Sequence, residues 1–111
     1  MDLIYPPAEQ YAELISSPPD ALLNEIHNET TATHLHAHML SSKVQGKLLE
    51  MISCMIQPAY ILEIGSFTGF STLCLAGGLQ PGGKLHTIEL RAEDAHTCAK
   101  NIQRSALQNK I

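Results

Sequence analysis

The stretch ILEIGSFTGFSTLCLA, residues 61 to 76, constrains this chain more than any other. An apolar run meets a carboxylate at Glu63, then two glycines four apart, Gly65 and Gly69, and then a second apolar run. The run from Ala59, AYILEI, is continuous rather than alternating, which predicts a strand covered on both faces in a parallel sheet. At the end of such a strand a charge is costly and a glycine packs nothing. The pair therefore predicts something polar at the bend.

The elements around this bend decide the fold class. Pro6 and Pro7 predict a short helix over about 7–15. Ser17 is the expected cap of a second helix over 18–35, with Pro18 first and Asp20 third, and with Leu22, Leu23, Ile26 and Thr30 on one face. Ser41 and Ser42 offer a cap for a third helix over 42–56, whose apolar stripe is Val44, Leu48, Ile52, Met55 and Ile56, and Pro58 stops it. Residues 1–58 thus read as a helical segment.

Residues 59–111 read as β-α-β-α. The helix after the bend runs from Thr68 to Ala76, Gly77 and Gly78 end it, and Pro81-Gly82-Gly83 makes a turn. KLHTIEL, residues 84 to 90, is the second strand, and a helix from about Ala92 has Ala95, Cys98, Ala99, Ile102 and Ala106 as its face. A helical preface followed by β-α-β-α is the opening half of a doubly wound α/β sheet. Two parallel strands bury too little for an ordinary open sheet. Either the chain is a piece of a longer protein, or it completes its sheet through another copy as a homo-oligomer joined at the exposed strand edge.

Composition narrows the partners. At 111 residues, with 44% apolar and 16% charged residues, one globular domain is expected. The formal charge of -4, with seven Lys and Arg scattered along the chain, argues against nucleic acid or an anionic membrane and for a small-molecule or protein partner. Cys54, Cys74 and Cys98 form no C-x-x-C pair and lie among apolar neighbours, so they read as buried reduced thiols of a cytoplasmic protein. No apolar run approaches the roughly 18 residues of a membrane span, and the start lacks a basic segment followed by an apolar one.

In doubly wound folds ligands sit beyond the carboxyl ends of the strands, where the first β-α turn brings the backbone closest to them. Gly65 and Gly69 permit that approach. The spacing is E-x-G-x-x-x-G rather than G-x-G-x-x-G, because Phe67 stands where a dinucleotide pyrophosphate needs glycine. Glu63 also suits a ligand carrying positive charge better than a bare phosphate. S-adenosylmethionine, with an ammonium, a sulfonium and a ribose, meets these terms. Glu89 lies twenty residues after Gly69 at the end of the second strand, where a carboxylate can accept both ribose hydroxyls. The plainer alternative is a simple glycine turn and a solvated acid at a strand end.

Three stretches, MLSSKVQGKLLEMI (39 to 52), ILEIGSFTGFSTLCLA (61 to 76) and GLQPGGKLHTIEL (78 to 90), resemble the O-methyltransferases related to catechol and caffeoyl-CoA O-methyltransferases, especially their bacterial members. The resemblance implies a class I methyltransferase fold, S-adenosylmethionine as methyl donor, and a cation such as Mg2+ that orients two adjacent oxygens of a small hydroxylated substrate. Carried over by motif, it implies that the Gly65 carbonyl meets the donor's ammonium and that Glu63 shapes the loop. Ser71, with the backbone around Ser41, would bind the donor's carboxylate. Phe67 would lie beside the methionine moiety, Glu89 would accept the ribose and Leu90 would face adenine. Plainer readings are core packing for Phe67 and Leu90 and a helix-start hydroxyl for Ser71.

The family continues for about as many residues again, through an aspartate-ended strand, the metal ligands and the residue that deprotonates the substrate. Catalytic residues are therefore expected beyond Ile111, and these 111 residues alone are expected to be inactive. His34, His36 and His38 alternate, but on a helix only His34 and His38 share a face, and a solvated or helix-end cluster is expected rather than a metal site. Two rivals stand beside the methyltransferase reading. One is a nicotinamide-dinucleotide-binding half-domain, and the other is a non-catalytic module that associates through its strand edge.

Overall fold

The computed structural model describes residues 3–111. Helix α1 spans Pro6–Ile15, α2 Ala21–Thr33, α3 Lys43–Ile56, α4 Phe70–Ala76 and α5 Ala92–Gln103. Strands β1, Tyr60–Ile64, and β2, Lys84–Ile88, pair in parallel, and single 3-10 turns cover Ala37–Met39 and Gln108–Lys110. The helical preface and the β-α-β-α order are as the sequence predicts. Among the described residues no helix is long and apolar enough to cross a membrane.

Helix α2 begins later than expected. Asp20, not Ser17, is its cap, accepting the Leu23 N-H at 2.8 Å. The cause is Pro19, which disfavours helical backbone at Pro18 and keeps both prolines outside. The helix also ends at Thr33, with His34 extended at φ -85 and ψ 130. Ser42 caps α3 by accepting the Gln45 N-H at 3.1 Å, and Gln57, left-handed at φ 50, closes it before Pro58. The helix after the bend starts at Phe70 rather than Thr68, and β2 stops at Ile88, which leaves Glu89 just beyond the strand.

The core lies between α2, α4 and one face of the sheet. Leu23 and Ile26 meet Phe70, Leu73 and Cys74, and a second cluster joins Ala76 and Leu79 to Leu85. α3 lies against α4, and the chain backbones come so close at Gly78 that an added Cβ would stand 2.1 Å from the Ser53 carbonyl carbon. Only a residue without a side chain fits there. Ser53 Oγ donates to the Leu75 carbonyl at 2.5 Å across the same contact.

Three burial expectations change. β1 is covered on one face only: Ile61 and Glu63 are half-buried, whereas Tyr60, Leu62 and Ile64 are 66–80% exposed on the other. Helix α4 touches both strands and lies on the Ile61 and Glu63 side of that alternation, so only half of the continuous apolar run is covered. The α3 stripe faces outward, with Leu48, Ile52, Met55 and Ile56 exposed, while Gly46 and Ser53 turn inward. The buried line of α5 is Asp94, Cys98 and Asn101, with Ile102 beside it and Ala99 exposed. Cys54 is exposed, unlike Cys74 and Cys98, because it lies on the outer side of α3.

Candidate functional site

The bend between β1 and α4 departs from ordinary backbone at three places. Gly65 and Gly69 both have φ +93, and Phe67 has φ 51. Glycine takes such angles without strain, but an aromatic residue there costs of order 1–3 kcal/mol and persists only where its surroundings hold it. The Gly65 N-H continues the sheet by donating to the Ile88 carbonyl at 2.8 Å, and the Gly69 N-H closes the turn on the Ser66 carbonyl at 2.9 Å. A Cβ added at Gly65 would meet nothing within 4 Å, so its backbone faces open space. One added at Gly69 would stand 3.1 Å from Cys98 Sγ.

Glu63 answers why a charge is tolerated at the end of β1. Its Oε1 accepts from Ser71 Oγ at 2.7 Å, and its Oε2 accepts from Thr72 Oγ1 at 2.5 Å and Thr87 Oγ1 at 2.7 Å. Three hydroxyls from α4 and β2 thus replace water around the half-buried carboxylate. The Ser71 hydroxyl proton is committed to Glu63 in this arrangement.

Glu89 crosses from the end of β2 to the bend. Its Oε2 accepts the Phe67 N-H at 2.8 Å and its Oε1 accepts the Arg91 N-H at 3.0 Å. Each carboxylate oxygen keeps a lone pair beyond the one it uses. Leu90 beside it is 96% exposed, which excludes the core reading for this residue. Ser41 lies in the extended segment before the α3 cap, and no hydrogen bond among the described residues joins it to the bend. Gly65, Phe67, Gly69, Ser71, Glu63 and Glu89 are therefore drawn together by hydrogen bonds and chain continuity, and Leu90 follows Glu89 directly in the chain, whereas no hydrogen bond among the described residues joins Ser41 to them. A cavity of about 570 Å³ opens beside Ser66 and Glu89 and continues down the outer edge of β2 to Ala95 and Cys98.

Several residues outside the donor site expected from the sequence hold the bend, and of these the sequence marks only Thr30 and His34, neither in this role. Thr30 of α2 and Thr68 share a buried hydrogen bond of 2.8 Å, and Asn101 of α5 donates from Nδ2 to the Thr68 carbonyl at 2.8 Å. Arg104 fixes Asn101 through a 3.0 Å bond to its Oδ1 and pairs with Glu25 at 2.8 Å. His34 reaches Asp94 at 2.7 Å and sets its ring 4.5 Å from that of Phe67. The discernible sequence signal was a polar residue at an inward helical position: Thr30 was placed on the inner face of α2, and Asp94 and Asn101 fall on the same face of α5 as Cys98. Among the described residues no three His, Cys, Asp or Glu side chains gather to hold a metal ion. His34, His36 and His38 do not share a helix, since the chain is extended at His34 and the 3-10 turn begins at Ala37.

Burial pushes the Cys98 thiol up in pKa, as it does Cys74, which lies at about 12. Both therefore stay protonated and neither is a nucleophile. His27 of α2, whose ring lies 5.0 Å from that of Phe70, is held below its ordinary value by burial and then by Lys43.

This geometry has counterparts of known kind. The sequence profile of the O-methyltransferase family matches residues 13–111. Catechol O-methyltransferase of Mycobacterium tuberculosis is 37% identical over 70 residues, which cover 63% of this chain and 32% of that protein. Caffeoyl-CoA O-methyltransferase 2 of Populus trichocarpa is 32% identical over 83 residues, 75% of this chain and 34% of that protein. The crystal structure of an O-methyltransferase from Bacillus cereus in complex with SAH superposes with a TM-score of 0.83 at 35% identity, covering 94% of this chain and 47% of that one. The chain spans about a third of the length of these curated relatives and about half of the solved structure. A Rossmann-like opening half, a glycine bend faced by an acid from the next strand, and a profile match over residues 13–111 agree, and the chain belongs to the O-methyltransferase family.

Proposed function

We propose that this chain is the donor-binding half of an S-adenosylmethionine-dependent O-methyltransferase acting on a hydroxyl of a small catechol-like or acyl-CoA-linked phenolic substrate. The observation that carries the reading is the Glu89 carboxylate, tied to the Phe67 N-H at 2.8 Å beside the open backbone of Gly65. The residues present fit S-adenosylmethionine: an acid with spare lone pairs suits ribose hydroxyls, and an unobstructed glycine suits a close backbone approach. Bound, that cofactor would supply a methyl group on a positively charged sulfur.

The parts of the chain then divide the binding. The Gly65 carbonyl faces the donor's ammonium, Phe67 lies along its methionine chain, Glu89 accepts the ribose hydroxyls and the exposed Leu90 covers adenine. Gly69 lets the bend close. Ser71 and the backbone near Ser41 meet the carboxylate, for which Ser71 Oγ-H turns away from Glu63, while Thr72 and Thr87 keep that acid solvated. Glu63 acts by holding the bend rather than by touching the donor. No residue of this chain is assigned to a cation or to proton removal from the substrate. Such groups dominate the positioning of oxygen against methyl, so the 111 residues alone transfer no methyl group at a useful rate.

Calorimetry with S-adenosylhomocysteine and with NAD tests the reading. Heat with the first and none with the second is expected, since Phe67 fills the place of a dinucleotide glycine. Heat with NAD alone, or turnover of catechols by this polypeptide, would overturn it. The sheet has only two strands, which leaves the outer edge of each without a partner among the described residues, and this supports a second reading in which another copy completes the sheet. A strictly monomeric chain in sedimentation would remove that reading.

A further inference from the structure

Phe67 is the only non-glycine residue of the bend with a left-handed backbone, and something must hold it there. Glu89 holds its N-H, and its ring meets the His34 ring at a centroid distance of 4.5 Å and an angle of 72°. His34 is itself fixed at both nitrogens. Its Nδ1 accepts the His36 N-H at 2.9 Å, and its Nε2 lies 2.7 Å from Asp94 Oδ1. Because Nδ1 accepts, it carries no proton, so the neutral ring bears its hydrogen on Nε2 and donates it to Asp94.

Asp94 is an uncommon residue to find buried. It is 3% exposed, and its Oδ2 has no hydrogen-bond partner, only the Arg91 Nε at 3.3 Å. It stands in the first turn of α5, where free N-H groups and the helix dipole favour a negative charge. A buried acid that gives one oxygen to a histidine sixty residues away, with that histidine's ring against the strained residue of the bend, is more than a helix cap.

We propose that His34 and Asp94 are a positioning pair that holds Phe67, and through it the bend from Gly65 to Gly69, in the conformation that receives the methyl donor. Neither residue touches the donor. His34 orients Phe67, and Asp94 orients His34 between the end of α2 and the start of α5. The part concerning the donor rests on the reading given under Proposed function, whereas the clamp on Phe67 stands on the geometry alone.

Amide hydrogen exchange and calorimetry on this chain separate the two. In His34→Ala and in Asp94→Ala the Phe67 N-H is expected to exchange about tenfold faster, while Lys84 and Gln57 N-H, bonded to the Ala59 and Ser53 carbonyls, keep their rates. The double variant is expected to be no faster than either single one, because the pair acts as a unit. Asp94→Asn keeps an acceptor for His34 and is expected to restore slow exchange. S-adenosylhomocysteine affinity is expected to fall about tenfold in the two alanine variants and to recover in Asp94→Asn. An unchanged Phe67 rate, or equal acceleration at Lys84 and Gln57, overturns the clamp whatever the ligand does. If Phe67 alone is accelerated while affinity stays within about twofold, the role toward the donor is overturned. Absence of heat with the wild-type chain overturns the donor reading instead, and the exchange rates still decide the clamp.

Discussion

Glu63 and Thr87 are register partners on the two parallel strands, and Thr87 Oγ1 donates to Glu63 Oε2 at 2.7 Å. The hydroxyl bridges the sheet at the point where β1 gives way to the bend, and Ser71 and Thr72 add two more donors from α4. Strand, strand and helix therefore converge on a single carboxylate. Replacing Glu63 by Ala removes the acceptor of all three hydroxyls and is expected to destabilise the fold by about 2–4 kcal/mol. Thr87→Val deletes one donor of three and is expected to cost about 1 kcal/mol. Denaturant unfolding of both variants checks the ranking, and equal losses would contradict the convergence on Glu63.

The close approach at Gly78 gives a second expectation. An added methyl would overlap the Ser53 backbone at 2.1 Å, and neither backbone can rotate away as a flexible side chain could. Gly78→Ala is expected to destabilise the protein by about 3 kcal/mol or more, through displacement of α3 from α4. Gly82→Ala, where nothing lies within 4 Å but φ is +78, is expected to cost only the backbone strain of about 1–2 kcal/mol. Thermal melting of the two variants tests the difference.

The parts of this protein that were legible in its sequence are those set by local rules. The β-α-β order follows from run lengths and glycines, and the placing of Glu89 opposite the bend follows from its position at the end of the second strand. Burial was less legible, because an apolar stripe records which residues share a face and not whether anything covers it. Leu48, Met55 and Ile56 share a face of α3 as expected, yet are 54–75% exposed. Polar residues inside were illegible for a related reason: Thr68 is buried because Thr30 and Asn101, thirty-eight and thirty-three residues away, satisfy its hydroxyl and carbonyl. The cap of α2 was misplaced where two signals competed, and the steric rule for consecutive prolines outweighed the capping preference of Ser17.

The cysteines differ in a way that a thiol reagent reads directly. Cys54 is exposed, whereas Cys74 and Cys98 are buried, and the Cys74 thiol is pushed up to about 12. A thiol and not a thiolate is then present at neutral pH, and it is also out of reach. In the folded chain one thiol is expected to react with a disulfide reagent at the rate of a free cysteine and two only on unfolding. Cys54→Ser is expected to abolish the fast phase. Two fast thiols would mean that the core around Phe70 and Cys74 opens readily.

His27 links stability to pH through the same core. Its ring packs edge-on against Phe70, and burial followed by the nearby Lys43 lowers its pKa from 6.5. The unfolded chain therefore binds a proton at this site at a higher pH than the folded chain does. Between the two values the unfolded state holds more protons, so stability rises with pH there. The stability that this site contributes is fully present above about pH 6.5 and is lost as pH falls from there through the lower folded-state value. Replacing His27 by Gln removes the titrating group while keeping a side chain of similar length. Denaturation curves collected from pH 7 downward are expected to show a shallower loss of stability in the variant than in the wild type over that window. The opposite sign, a wild type that gains stability relative to the variant on acidification, would place the His27 charge in favourable company and contradict its burial against Phe70.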